Sequence, residues 1–471
     1  MNTLREHIGV SLQELEIELL AIMREQFGKA LTKILENIDE ELLKIRDSSR
    51  YKVKERLSTT IETLLGQQVT FTRRYYFDEQ TGQYIFLLDE ILGLPKGTQI
   101  SPALEELLLH QAAITPSYRT AADSLEEVFK KRLASHEVIR QSVIKFGKVT
   151  EQVEEKQIQN PNGKRRTKLL FIEADGLYVP LQKDKKRSVK EFTVTIHEGW
   201  QPRTPGSKDY SLVNLDQYRS QDGNDFWDRA SRYIYSTYDI DENTLVIING
   251  DRAPWIRKGV DYFPNALYQV DRYHLVRDLR RLYGARSKSL KKVLKALDSN
   301  DITGVTFITS LAQNHRYIRN PEKQEKCERL IDDLLKIADS TVDYRKRLKA
   351  RGYRTEGLRG LGAGESQMAR FAGRVKGKKS WSRAGLSAMM QLLSWRNTGR
   401  LEKVTKKITE WMRSIDFNTL KLNDIMEDAV QMVFADKLWG ISNTPIAYAG
   451  TNRSGGMSNF IHRLNDSALP T

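Results

Sequence analysis

The chain has 471 residues, with 76 Lys or Arg against 61 Asp or Glu, a formal charge of +15 and a pI near 9.5. Such an excess points to a polyanionic partner, nucleic acid or an anionic membrane surface. The membrane is the weaker choice, because no apolar run is long enough to span a bilayer and no hydrophobic signal segment opens the chain. One cysteine, Cys327, excludes an internal disulfide and a cysteine-based zinc site, and suits a reducing cytoplasm. The length suggests about three domains, with ample chain for a core.

Residues 1–66 are expected to form long amphipathic helices, broken only by Gly9, Gly28 and Gly66. Leu12, Leu15, Leu19 and Ile22 step by three and four and so share one face. That stripe serves equally as core or as the seam of a homodimer or higher oligomer. Residues 67–100 read as a β-hairpin unit: a strand from Gln68 to Phe77, the turn Asp78-Glu79-Gln80-Thr81-Gly82, and a strand Tyr84-Ile85-Phe86-Leu87-Leu88. Arg73 and Arg74 stand there between aromatics, as a DNA grip or as a solvated strand face.

Residues 101–153 are helical and fit a helix-turn-helix DNA-binding unit, although any two amphipathic helices joined by a short turn give the same pattern. Ser135 is placed to N-cap the second helix, and Arg119, Arg140 and Lys145 are available to the major groove or to phosphates. The stretch 154–168, with Asn160-Pro161-Asn162-Gly163, is a turn or linker.

From residue 168 the order of elements reads as an α/β RNase H-like core. Leu169-Leu170-Phe171-Ile172 and Leu245-Val246-Ile247-Ile248 are apolar runs of buried-strand type, each expected to deliver one Asp, Asp175 or Asp251, to its C-terminal end beside a glycine. An acid at such an exit sits where α/β sheets bind ligands and metals. Phe192-Thr193-Val194-Thr195-Ile196, a segment near Tyr210-Ser211-Leu212-Val213, and Ala266-Leu267-Tyr268-Gln269-Val270 supply further sheet strands, with a helix over 222–238. The core is expected to occupy 168–274 and 352–400, split by a basic helical insertion at 275–351 that contains Arg280, Arg281, Lys291 and Lys292. Helices at 401–440 and a flexible Gly/Ser/Asn-rich tail at 441–471 complete the chain.

The succession Glu173-Ala174-Asp175-Gly176, Gly250-Asp251-Arg252-Ala253-Pro254-Trp255-Ile256, Phe263-Pro264, Asp271-Arg272-Tyr273-His274-Leu275 and Gly364-Glu365-Ser366 resembles the DDE transposases of bacterial insertion sequences. The resemblance is closest to the ISLre-two family, distant relatives of the Mutator transposases, and it covers most of the chain. It implies an RNase H-like catalytic core interrupted before the final Glu, and cleavage and strand transfer on double-stranded DNA. The DNA would comprise the terminal inverted repeats of the element and a target. It implies Asp175, Asp251 and Glu365 as catalytic residues and as ligands of two Mg²⁺ or Mn²⁺ ions, in a cytoplasmic, nucleoid-associated bacterial protein. Arg252 stands where the family has a small residue.

Phosphodiester exchange needs an activated oxygen, an in-line leaving oxygen, and neutralisation of the charge growing between them. Two hard cations ~4 Å apart do all three, and a few carboxylates suffice to hold them. Asp271, His274 and Arg252 are near-site candidates, His274 being read first as a core hydrogen-bonder because no second His or Cys stands at ligand spacing. Glu356 competes with Glu365, which is preferred because the Glu-Ser pair opens a helix. Trp255 and Trp381 offer base-stacking surfaces or, more simply, core. A transposase is the favoured reading. A catalytically inactive DNA-binding protein or regulator derived from one, and a plain RNase H-like DNA nuclease, are the alternatives.

Overall fold

The computed structural model describes residues 11–401 apart from 95, 96, 98, 184 and 186. The described residues divide into two compact units, 11–104 with 128–133, and 105–127 with 134–401. All but Leu401 of the helices expected at 401–440, and the tail at 441–471, lie outside the described residues.

In the first unit, α1 (Leu12–Ile45) begins with a capping box in which Ser11 and Glu14 satisfy each other's backbone amides. Three antiparallel strands follow, β1 (Tyr51–Glu62), β2 (Gln68–Asp78) and β3 (Gln83–Ile85), and then a short helix α2 (Leu87–Leu92). Residues 51–62 are therefore strand, not the helix expected. The β-branched run Thr59-Thr60-Ile61 pairs with β2, which is matched to β1 from Tyr51↔Asp78 to Glu62↔Gln68. The second hairpin strand also stops early, because Leu87 and Leu88 open α2 and Leu88 is fully buried. Leu35, Ile38 and Leu42 of α1 cover Val69 and Phe71 of β2. Of the two roles expected for the stripe, core is not the one taken: Leu12, Leu15, Leu19 and Ile22 are 72%, 43%, 54% and 39% exposed. Arg73 and Arg74 are neither a DNA grip nor a solvated face. Both are buried, paired with Asp89 and with Asp39 and Glu40.

Helices α3 (Pro102–Ile114), α4 (Tyr118–Phe129) and α5 (His136–Gln159) come next. Ser135 caps α5 as expected, its Oγ accepting from the Val138 amide at 3.2 Å. One face of α5, with Ile139, Val143 and Gly147, is buried; a Cβ on Gly147 would meet Ala388 at 2.6 Å, so that position must be Gly for the helices to touch.

The second unit is built on a five-stranded sheet ordered β10-β9-β4-β5-β8. Its strands are β4 (Leu169–Pro180), β5 (Ser188–His197), β8 (Asp216–Ser220), β9 (Leu245–Gly250) and β10 (Ala266–Val270). β4, β9 and β10 are parallel; β5 and β8 run against their neighbours. Asp175 does not end its strand. β4 continues to Pro180 because β5 pairs along it from Phe171↔His197 to Pro180↔Ser188, whereas the pairing with β9 stops at Ala174↔Gly250. Asp175 is thus the first residue to clear β9. The segment at 210–213 is not in this sheet: β7 (Tyr210–Leu212) pairs only with β6 (Trp200–Pro202). The edge is instead β8, whose Asp-Gln-Tyr-Arg-Ser composition hides it from a hydrophobic search.

The expected helix over 222–238 is shorter, α6 (Phe226–Tyr235), and packs Phe226, Ala230 and Ile234 with Ile172, Val246 and Ile248. Behind the sheet, Phe171, Ile247 and Leu267 meet Tyr344 and Leu348. After a single helical turn, α7 (Pro254–Arg257), the insertion is helical as expected. It holds α8 (Arg272–Tyr283), α9 (Lys288–Asp298), α10 (Val305–Asn314), α11 (Pro321–Leu335) and α12 (Tyr344–Ala350). Leu290, Val293, Phe307, Leu311, Cys327 and Leu334 extend the core into it. The chain then returns through α13 (Ala363–Val375) and α14 (Arg383–Asn397). Among the described residues, no helix is long and apolar enough to cross a membrane.

Candidate metal centre

Asp175 on β4, His274 in the first turn of α8 and Glu365 in the first turn of α13 each offer one ligand atom, all within 4.8 Å of one another. Two of the three come from helix starts that follow the sheet, which brings residues distant in the chain to one place. His274 Nε2 lies 3.4 Å from Glu365 Oε2, and its Nδ1 lies 3.3 Å from Asp271 Oδ1. Asp251 follows the last residue of β9 and turns one oxygen to the Ala253 amide at 2.9 Å. It is outside the 4.8 Å group but close enough to act on Asp175. Burial pushes the Asp175 carboxyl above its ordinary value, and the negative charges of Glu365 and Asp251 push the same way.

Asp271 orients the histidine. It N-caps α8 by accepting from the His274 amide at 2.8 Å, and Asn249 of β9 donates to its other oxygen at 2.9 Å. Burial opposes the charge on Asp271, yet the hydrogen bonds from His274 and Asn249 hold its carboxyl below the ordinary value. The bond to Asp271 in turn raises His274, against a smaller opposing effect of burial. A histidine with one nitrogen held by a carboxylate and the other facing open carboxylates is the arrangement found at metal sites.

Of the two glutamates weighed for the third position, Glu365 is in the group; Glu356 is exposed in the loop before α13. Arg252 turns away, pairing with Asp278 at 2.8 Å. Trp255 is half-buried against Phe192 and Phe226, with the Lys190 ammonium 5.1 Å from its ring centre. Trp381 is buried, its indole N–H donating to the Val375 carbonyl at 2.9 Å, so its ring is core and not a stacking platform for bases. Arg119 is exposed on α4; Arg140 pairs with Glu137 at 2.6 Å and Lys145 with Glu105 at 2.9 Å. Lys291 and Lys292 are exposed on α9. Beside His274, α8 lines a cleft of about 560 Å³ with Arg272, Tyr273, Arg277, Arg280 and Arg281.

One site residue escaped the sequence reading. Glu173 shares a strand face with Asp175, two positions earlier, and is 2% exposed. It accepts backbone hydrogen bonds from Gly362, Ala363 and Gly364, the entry to α13. Its local signal was an acid within the apolar run Leu169-Leu170-Phe171-Ile172-Glu173-Ala174.

Comparison with known proteins places the chain in a family. The model of the uncharacterised protein family UPF0236 matches residues 5–411. The chain is 25% identical over 420 residues to UPF0236 protein TTE2489 of Caldanaerobacter subterraneus subsp. tengcongensis, covering 85% of this chain and 82% of that one. It is 26% identical over 406 residues to the UPF0236 protein in vanSb 3′region of Streptococcus gallolyticus, covering 83% and 84%. Another relative in the first organism, 24% identical over 455 residues and covering 92% of this chain and 88% of its own, carries eleven locus designations in its name. The assignment to the ISLre-two transposases is corrected by these matches, since the family and its relatives are named only as UPF0236 and none as a transposase. With the match spanning most of its length, the chain belongs to the uncharacterised protein family UPF0236.

Proposed function

We propose that this protein is a metal-dependent enzyme of DNA cleavage and strand transfer, a transposase in its chemistry. The observation that carries the reading is the convergence of Asp175, His274 and Glu365 within 4.8 Å, with Asp251 beside them. The sheet order, three antiparallel strands followed by two parallel ones, supports an RNase H-like core. The basic cleft along α8, lined by residues that neighbour His274 in the chain, offers a polyanion a surface on the same helix. A relative named for eleven loci of one genome is what an element that multiplies within a genome leaves behind. Basic charge without a membrane-crossing helix among the described residues accords with action on DNA in the bacterial cytoplasm.

The donor set fits a divalent cation. Carboxylate oxygens with one imidazole suit Mg²⁺ or Mn²⁺, the imidazole favouring the latter. Asp175, Glu365 and His274 would hold it, with Asp251 contributing to a second ion. When bound, such ions supply charge neutralisation at the phosphate and acidify a coordinated water or 3′-hydroxyl. The chain's own groups do the rest. Asp271 Oδ1, 3.3 Å from His274 Nδ1, favours a proton on that nitrogen and leaves Nε2 facing Glu365. Arg280, with Arg277 and Arg281 in part offset by Asp278 at 3.8 Å, attracts the phosphate backbone toward a cluster that, as bare carboxylates, would repel it.

The test is nicking and joining of supercoiled plasmid carrying the element's ends, with Mg²⁺ or Mn²⁺. Asp175→Asn and Glu365→Gln are each expected to abolish both reactions while DNA binding stays intact or tightens. Cleavage at the wild-type rate by Glu365→Gln would sink the reading. Cleavage with no joined product would reduce it to a nuclease.

A further inference from the structure

We infer that Glu173 is a positioning residue that sets the geometry of Glu365 by gripping the start of α13; this rests on the metal-dependent reading above. A helix leaves its first amides without intrahelical partners, and they need an outside acceptor when buried. Here the cap position is Gly362, which has no side chain to offer and no side-chain cap bond. Glu173 replaces the missing cap from the neighbouring strand. Its Oε2 accepts from the Gly362 amide at 2.9 Å, the Gly364 amide at 3.2 Å and Asn249 Nδ2 at 3.1 Å. Its Oε1 accepts from the Ala363 amide at 3.1 Å and lies 3.3 Å from His197 Nε2. The residue after these three amides is Glu365.

The glycines of Gly362-Ala363-Gly364-Glu365 follow from this grip. Gly362 has φ +153°, a conformation that disfavours a side chain. A Cβ on Gly364 would stand 3.0 Å from the Cβ of Glu173, so the strand and the helix start approach as closely as glycine permits. The same carboxylate reaches the other half of the cluster, since Asn249 Nδ2 bonds both Glu173 and the Asp271 that holds His274. A buried carboxylate is a costly way to hold a helix to a sheet when apolar packing would serve. It is an effective way to fix the direction of a ligand that arrives after a long insertion.

The experiment is Mn²⁺ titration of the full chain by electron paramagnetic resonance, with amide hydrogen exchange and thermal unfolding on the same samples. Glu173→Gln is expected to weaken Mn²⁺ binding by about 10- to 100-fold and to speed exchange at 362–364. Gly364→Ala, which keeps the carboxylate but crowds the helix start, is expected to weaken Mn²⁺ in the same direction. Ser382→Ala removes the ordinary cap of α14, whose Oγ accepts from Gly385 at 3.1 Å, and is expected to lower thermal stability with Mn²⁺ affinity unchanged. A folded Glu173→Gln protein with wild-type affinity overturns the positioning role. If that variant does not fold, wild-type affinity in Gly364→Ala overturns it and weakened affinity upholds it. Absence of saturable Mn²⁺ binding in the wild-type chain overturns the metal-dependent reading and this inference together.

Discussion

Arg74 sits on a strand that looks amphipathic in sequence, yet it is 6% exposed. Its guanidinium reaches Asp39 Oδ2 at 2.5 Å and Glu40 Oε2 at 2.8 Å, while its own amide donates to Asp39 Oδ1 at 3.0 Å. Removing one partner of a buried pair leaves the other charge desolvated and unmatched. Arg74→Ala is therefore expected to cost about 3–5 kcal/mol of stability, measured by urea unfolding, and to leave the affinity for DNA in the surviving folded fraction unaltered. A loss below about 1 kcal/mol, the range of exposed pairs, would mean that the site is wetter than its burial indicates. The same contrast separates Glu173 from Glu356. Both are acids near glycines in sequence, but one is enclosed by five polar groups and the other is exposed in a loop.

At the scale of elements, the edge of the sheet shows how a strand with little apolar content is held. β8 is joined to β5 by backbone pairing and by a polar cluster: Glu191 of β5 is fully buried, with Gln221 Nε2 at 2.5 Å and Arg219 Nη1 at 3.6 Å. Burial pushes Glu191 above the ordinary glutamate value of 4.5, and Arg219 offsets this only in part. The folded state thus binds the proton more tightly than the unfolded chain. Its contribution to stability is greatest below the ordinary value and declines as pH rises through the raised one. Glu191→Gln removes that decline, and Arg219 keeps its bonds to the Ser387 carbonyl and Gln391 Oε1, both at 2.6 Å. The melting temperature of the variant relative to wild type is expected to increase from about pH 5 to about pH 8. A difference that is flat or falls over that range would show that the ion pair with Arg219, not burial, governs this group.

For the whole molecule, the charge of +15 is not spread as free cations. Arg140, Lys145, Arg252 and Arg272 each have an acidic neighbour, so a count of basic residues overstates the surface available to phosphate. Lys291 and Lys292 are exposed on α9, in a stretch without any base-reading motif. Contacts of this kind position without specifying. Replacing both by Ala is expected to weaken binding equally on end-containing and scrambled duplexes, and to make the log–log salt slope shallower by about 2. Binding isotherms across salt concentrations check this, and an unchanged slope would remove both lysines from the interface.

The apolar runs that became β4, β9 and β10, the Ser135 cap, the helices of 275–351 and the two acids that meet, Asp175 and Glu365, were legible along the chain. Strand burial, capping and turn chemistry act over a few residues, so their signals are local. The register that sends β4 past Asp175, the pairing of β1 with β2 and the polar edge strand β8 were not. Each depends on which strand lies alongside, and the chain does not state that. The site divides in the same way. Carboxylates beside glycines after apolar runs and at a helix start announced themselves, but Glu173 finds its amides about 190 residues downstream, a relation formed only when α13 closes on the sheet.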